Sequence, residues 1–274
     1  MTLLVSWIAV DTHGPTSAYM VSDSRISWNN YQKFDYAKKV FASKKYPEIF
    51  GYAGEVLFPS IVLSQIVELI DMNLLFNEEM TSADRNKIVY EKLQYSFSKY
   101  PNVYGDNPIQ ILHISRDTLF NSYPNFYQYL MMWNKRDGWK RKVIKIPSES
   151  GILQVLGSGS NEFRRNYKDR YQHGVNKSTS RNVFHCFIDT LNNIEDKKCG
   201  GAPQLVGIYR KPFTSGNIFG ILFNGKRFFL GMEVPKDSCY DEIEWRNENF
   251  ELCSGETKKR YLEASIQKDM LRRK

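Results

Sequence analysis

Thr2 is the residue with the most chemistry to offer. Removal of Met1 leaves it with an α-amine and a hydroxyl on one residue, and a small second residue such as Thr suits methionine aminopeptidase. That amine titrates near pKa ~7.7–8 when unperturbed, which fits a general base working near neutral pH. A Thr hydroxyl activated by its own N-terminal amine is a recognised nucleophile arrangement. Such a nucleophile needs a nearby cation to lower the pKa of hydroxyl and amine, and an acid to keep that cation charged and placed. Lys39 and Asp23 are candidates for the pair, with two solvated strand-end charges as the plain alternative. An oxyanion donor is the next requirement. Ala53-Gly54, where a strand meets a helix, offers a backbone N–H, although an ordinary strand-to-helix turn uses Gly equally well.

Three further groups carry weaker signals. GSGS at 157–160 lacks the Lys-Ser/Thr end of a P-loop and the spacing of a dinucleotide fingerprint, so it reads better as a turn aiming Ser158 toward a neighbouring site. Asp196 and Cys199 share a loop before a strand, where Cys199 alone reads as a buried thiol rather than a nucleophile. The cysteines (Cys186, Cys199, Cys239, Cys253) form no CxxC pair and have no His at metal spacing, so free thiols are expected, with no metal and no cofactor. Nothing in the spacing selects one of His13, His113, His173 or His185 as a partner for a Cys-His enzyme.

The elements that must position these residues follow from period and punctuation. Residues 3–10 and 17–22 read as a hairpin turning at Gly14-Pro15, and 37–43 with 48–54 as a second turning at 45–47. From Glu55 the apolar period changes to three and four, predicting a helix to about residue 73, then another from a Thr81 or Ser82 cap to about Lys99. Strands are expected at 109–114, 126–133, 139–146 and 152–156, with helices from near Asn161 and from Ser178 or Ser180 to Asn192. Further strands are expected at 204–209, 217–223 and 226–232, with Asn224-Gly225 as a type I′ turn. A last helix is expected at 256–272. Helices arriving in pairs between antiparallel hairpins suggest two stacked sheets with helices on each outer face.

The composition bounds the class. With 274 residues and 42% apolar content the chain can bury a sizeable core. No stretch approaches the ~18 apolar residues of a membrane span. The apolar start lacks a basic n-region and runs into Asp11, which argues against a signal peptide and for a cytoplasmic protein. The net charge of +8 raises nucleic-acid binding, but the basic residues are spread along the chain without an aromatic-plus-glycine RNA-binding signature, and the densest run, 135–142, sits at a turn.

Thr2, D-S-R at 23–25, K-K-V at 38–40, A-G at 53–54, G-S-G at 157–159 and D-x-x-C-G-G at 196–201 occur in the order found in proteasome β-type subunits. The chain resembles that family, together with bacterial proteasome-type proteases, within the N-terminal nucleophile hydrolase superfamily. The resemblance spans about residues 2–232. It implies an α+β fold, a four-layer αββα sandwich of two antiparallel sheets covered by helix pairs, with 233–274 as a polar, partly helical extension. It implies Thr2 as nucleophile, Asp23, Arg25 and Lys39 as its charged surround, and Gly54 as oxyanion donor. Ser158, Asp196 and Cys199 would support the amine and a nucleophilic water. The implied function is a threonine-type hydrolase of peptide or other amide bonds, acting on peptides or unfolded protein as a homo-oligomeric ring, with room for an ATP-dependent unfoldase and no membrane or nucleic-acid partner. A non-catalytic assembly subunit and a basic nucleic-acid-associated protein are the alternatives. Cys stands at 199 where the family has Ser, the first hairpin turn is longer (Thr12 to Thr16), and the tail after Met232 has no counterpart in a minimal subunit.

Overall fold

The computed structural model describes residues 2–28, 32–101, 107–117, 124–174, 176–211 and 214–264; Met1 and the end of the tail lie outside them. The chain opens with the hairpin β1 (Leu4–Asp11) and β2 (Gly14–Ser22), followed by a two-residue pair, β3 (Ile26–Ser27) and β4 (Lys33–Phe34). Next come β5 (Val40–Ala42), β6 (Glu48–Gly54), α1 (Leu57–Asp71) and α2 (Ser82–Ser98). Strands β7 (Ile109–Arg116), β8 (Phe126–Asn134), β9 (Gly138–Ile144) and β10 (Gly151–Leu156) lead into α3 (Ser160–Asn166), a π-helical turn at Tyr167–Tyr171 and α4 (Ser180–Asn193). The chain continues through β11 (Gln204–Tyr209), β12 (Gly216–Phe223), β13 (Lys226–Phe229), β14 (Met232–Glu233), β15 (Trp245–Arg246) and β16 (Leu252–Cys253).

Two main sheets result. One runs β10-β1-β2-β11-β12-β13-β14, with β15 and β16 joined at β12; the other runs β5-β6-β7-β8-β9. Strand alternation assigns the faces. Leu4, Ile8, Ala18 and Met20 of the first sheet pack with Val40, Ile49, Leu112 and Ile114 of the second. A buried hydrogen bond crosses between the sheets at the same level, Ser6 Oγ to Gln128 Oε1 at 2.9 Å. The opposite face of β1 and β2 (Val5, Trp7, Tyr19, Val21) packs on Phe163, Val183, Phe184 and Phe187 of α3 and α4. Phe50, Tyr52, Ile109 and Ile111 pack on Phe58, Ile66, Val89 and Leu93 of α1 and α2.

Local chemistry fixes the element ends. The Glu55 carboxylate accepts the N–H groups of Leu57 and Phe58 at 2.9 Å each, satisfying two donors at the start of α1. Thr81 and Asp84 form a capping box on α2, and Thr179 Oγ1 accepts the Asn182 N–H on α4. Asn224 and Gly225 both take positive φ, as the predicted turn requires.

The four-layer αββα sandwich needs correction. Among the described residues the chain is mostly antiparallel sheet with four α-helices, and its layout is not a clean stack of two antiparallel sheets between helix pairs. The larger sheet is mixed, because β15 lies parallel to β12. Helix α3 has only seven residues before the π-helical turn takes over. The helical face of the larger sheet is shared with non-helical chain: Phe250 joins the cluster of Trp7, Tyr19 and Phe184. Trp245 lies buried against Gly220 and Gly255, where a methyl group would stand 2.4 and 2.3 Å from the indole. Those two aromatics draw the tail onto the sheet despite its polar composition. The helix expected at 256–272 is also absent over 256–264, where the chain forms turns and a bridge from Arg260 to Cys253; the rest of that span lies outside the described residues.

Candidate active site

Thr2 precedes β1 and is fully buried. Pairing of Leu4 with Ser22 brings the end of β2 beside it. There Asp23 N–H donates to the Leu3 carbonyl at 3.2 Å, and the Leu3 N–H donates to Asp23 Oδ1 at 3.0 Å. The loop at 157–159 closes on the other side. Gly159 N–H donates to the Thr2 carbonyl at 3.3 Å, and Gly157 (φ +89°) lies so close that a methyl group would stand 1.9 Å from that oxygen. Gly157 therefore serves close backbone approach to Thr2, whereas a methyl group on Gly159 would meet the Ile194, Leu3 and Cys199 side chains.

Lys39 is equally buried and donates from Nζ to Asp23 Oδ1 at 2.8 Å, the oxygen that also accepts the Leu3 N–H. Asp23 Oδ2 accepts from Gly200 N–H at 3.0 Å and Arg25 N–H at 3.3 Å. Four donors on one carboxylate offset the cost of holding an ion pair away from water. The Lys39 carbonyl accepts from Tyr52 N–H at 3.2 Å, tying the lysine to β6. Tyr52 is buried and close to Asp23; burial first, and then that charge, hold its phenol protonated far above the ordinary range.

The Arg25 side chain bonds to Asp35 rather than to Asp23. Its guanidinium grips Asp35 through Nε and Nη2 (2.6 and 2.8 Å) and donates from Nη1 to the carbonyls of Lys197 and Cys199, both at 3.1 Å. Arg25 thus pins the 196–201 loop whose Gly200 N–H reaches Asp23. The Arg25 hydrogen bond holds the Asp35 carboxyl below the usual carboxylate range, with partial burial opposing it.

Ser158 Oγ stands 3.6 Å from Cys199 Sγ, which lies 3.8 Å from Asp196 Oδ2. Burial first, and then the Asp23 charge, push the Cys199 thiol up to about 12, so it is a neutral, weak donor at neutral pH. His113 belongs elsewhere, between Glu48 and Asn86 in a buried network with Arg85 and Ser115. Gly54 ends β6 with φ +95° and backs onto Pro108, where a methyl group would stand 2.0 Å from the carbonyl oxygen. Its close approach to Pro108 by itself accounts for a glycine at this position.

The fold therefore links Thr2, Asp23, Lys39, Arg25, Ser158, Asp196 and Cys199 through a continuous set of bonds, and places Gly54 two residues beyond the Tyr52 anchor. Sequence reasoning missed Asp35, the partner of Arg25, and Gln204, whose amide bonds to the main chain around Asp23 and Lys39. Neither stands in a motif; a buried-polar reading of the first residue of a strand was the only signal for Gln204. A separate polar cleft of about 210 Å³ between α3 and α4, lined by residues such as Glu162, Arg170 and Asp189, contains none of these residues. Among the described residues no group of three His, Cys, Asp or Glu could hold a metal ion, and no helix is long and apolar enough to cross a membrane.

No protein-family model matches the chain, and no curated protein matches it. Among solved structures it is similar to Anbu (ancestral beta-subunit) from Yersinia bercovieri, with a TM-score of 0.54 and 7% identity over 84% of this chain and 88% of that one. Membership of the proteasome β-type family, which the motif order implied, is corrected by these results: no family is matched by sequence. At 7% identity the likeness is one of fold, and fold alone does not carry activity.

Proposed function

We propose that the chain is an amide hydrolase whose nucleophile is Thr2, made competent by cleavage of the Met1–Thr2 bond. One observation carries the reading: the buried Lys39 ammonium and the N–H of the residue after Thr2 share one oxygen of Asp23. A fixed cation at that place lowers the pKa of both the Thr2 hydroxyl and its amine. The free α-amine takes the Oγ proton as Oγ attacks the amide carbonyl carbon, and returns it to the departing amine. The Gly54 N–H is assigned to the developing oxyanion, a donor of a kind typically worth ~2.7–4 kcal/mol. Water then hydrolyses the Thr2 ester. Ser158, Cys199 and Asp196 are assigned to holding the amine and that water, with Arg25 positioning their loop. Peptides or unfolded protein are the proposed substrates.

The test compares hydrolysis of a fluorogenic peptide panel by processed protein, Thr2→Ala, and protein with an uncleavable extension before Thr2. Activity in the processed form alone is the expected result; equal activity in all three overturns the reading. A non-catalytic assembly subunit is the second reading. It is favoured by the complete burial of Thr2 and by the weak 3.8 Å contact that Cys199 makes with Asp196. Inactivity of all three forms after removal of Met1 would select it.

Anbu is named as a subunit, and self-association is extended to this chain on that basis. Leu57 and Ile61, one turn apart on α1, are exposed apolar residues consistent with a contact. A homo-oligomer by light scattering at micromolar concentration is expected; a monomer there removes the assignment.

A further inference from the structure

We infer that Gln204 is a positioning residue for the Asp23–Lys39 pair, an inference that rests on the Thr2 reading above. Gln204 opens β11 and its side chain is completely buried. Its amide makes three hydrogen bonds, all to main chain. Oε1 accepts the Lys39 N–H at 2.9 Å, and Nε2 donates to the carbonyls of Asp23 (3.0 Å) and Ala37 (2.7 Å). The amide orientation follows from these partners, since an N–H must face the oxygen and two carbonyls must face the nitrogen.

The placement matters because Asp23 and Lys39 come from different sheets. Asp23 follows β2 of the larger sheet, and Lys39 precedes β5 of the smaller one. Their main chains meet directly where the Ala37 N–H donates to the Ser24 carbonyl at 3.0 Å. Gln204 is itself held in register opposite Ser22. One amide thus connects the backbone of the carboxylate, the backbone of the lysine and the strand beside them. Its shape fixes where the Lys39 ammonium stands relative to the residue after Thr2. A misplacement of about 1 Å at a reacting group can cost on the order of 10²-fold in rate.

The chemistry of the amide is specific. An ionised carboxylate in its place has no donor for the two carbonyls and turns a negative oxygen toward them; a protonated one regains a single donor. A thioether of the same length fills the space and makes none of the bonds. Glu and Met at this position therefore separate hydrogen bonding from packing.

The experiment uses the processed full chain with wild-type, Q204M and Q204E proteins, measuring kcat, KM and the pH profile of kcat/KM alongside thermal melting. For folded Q204M the expected result is a drop in kcat on the order of 10²-fold with KM little changed. Its acid limb should also move to higher pH, because a displaced Lys39 no longer depresses the Thr2 amine. A residue that merely fills space would lower melting without moving that limb. If Q204M does not fold, Q204E decides: its kcat relative to wild type should rise as pH falls toward the range where its carboxyl protonates. Wild-type kcat and pH profile in a folded variant overturn the role of Gln204 while leaving Thr2 standing. Loss of fold in both variants assigns Gln204 to the frame alone and also overturns it. Absence of Thr2-dependent hydrolysis in the wild-type chain overturns both readings together.

Discussion

Lys39 and Asp23 form an ion pair where water does not reach. Removing one partner of such a pair leaves the other uncompensated, so Lys39→Ala should abolish hydrolysis and also destabilise the fold by ~3–5 kcal/mol. The Lys39→Met, Asp23→Asn double variant removes both charges and should be inactive, yet recover only part of that stability, because the Asn amide turns a donor toward either the Leu3 N–H or the Gly200 N–H. Denaturant midpoints and turnover together check this; unchanged turnover in Lys39→Ala removes the lysine from the site. Asp35 gives a pH signature. Its carboxyl is depressed by Arg25, so the folded state gains stability from its ionisation above the ordinary value of about 3.9 and loses it as pH falls through the lower folded value. Asp35→Asn should be less stable than wild type at pH 6, and the difference should shrink in unfolding curves taken at pH 4 and then 3. A constant difference across that range would mean that the Arg25 clamp contributes nothing through charge.

At the scale of elements, the site is built where strands end and loops turn back. Gly157 lets one loop close over Thr2, and Arg25 with Gly200 brings another to Asp23. Gly157→Ala combines a strained positive φ, costing about 1–3 kcal/mol, with a collision on the Thr2 carbonyl. Lower melting and a fall in kcat are expected, and wild-type kcat would show that the loop does not place Thr2. Most elements were legible because period and punctuation agreed: the Thr81 cap, the Asn224-Gly225 turn and the apolar stripe after Glu55 each have a local cause. The candidate residues were legible as an ordered set of short motifs. Asp35 and Gln204 were not, since their roles depend on partners 10 and 165 residues away in sequence. Ser158 and Cys199 were grouped only through the motif order, and the structure sets their side chains 3.6 Å apart.

For the whole molecule, the tail shows why composition misled. Residues after Met232 are mostly polar, yet Trp245 and Phe250 bury completely or nearly so, and β15 adds a parallel strand that no alternation pattern announces. Two aromatics outweigh the charged residues around them because each buries a large apolar area. The result is a mainly antiparallel two-sheet fold rather than a regular layered sandwich, sharing its fold with Anbu without matching any family in sequence. That fold leaves the activity to be decided at one residue. The most direct measurement is mass spectrometry of peptides after treating the processed chain with an epoxyketone, an electrophile that engages a hydroxyl and a neighbouring free amine together. The account predicts added mass on the N-terminal peptide beginning at Thr2, and none on Thr2→Ala or on the chain extended before Thr2. Added mass at Cys199, or equal labelling of all three forms, would contradict it.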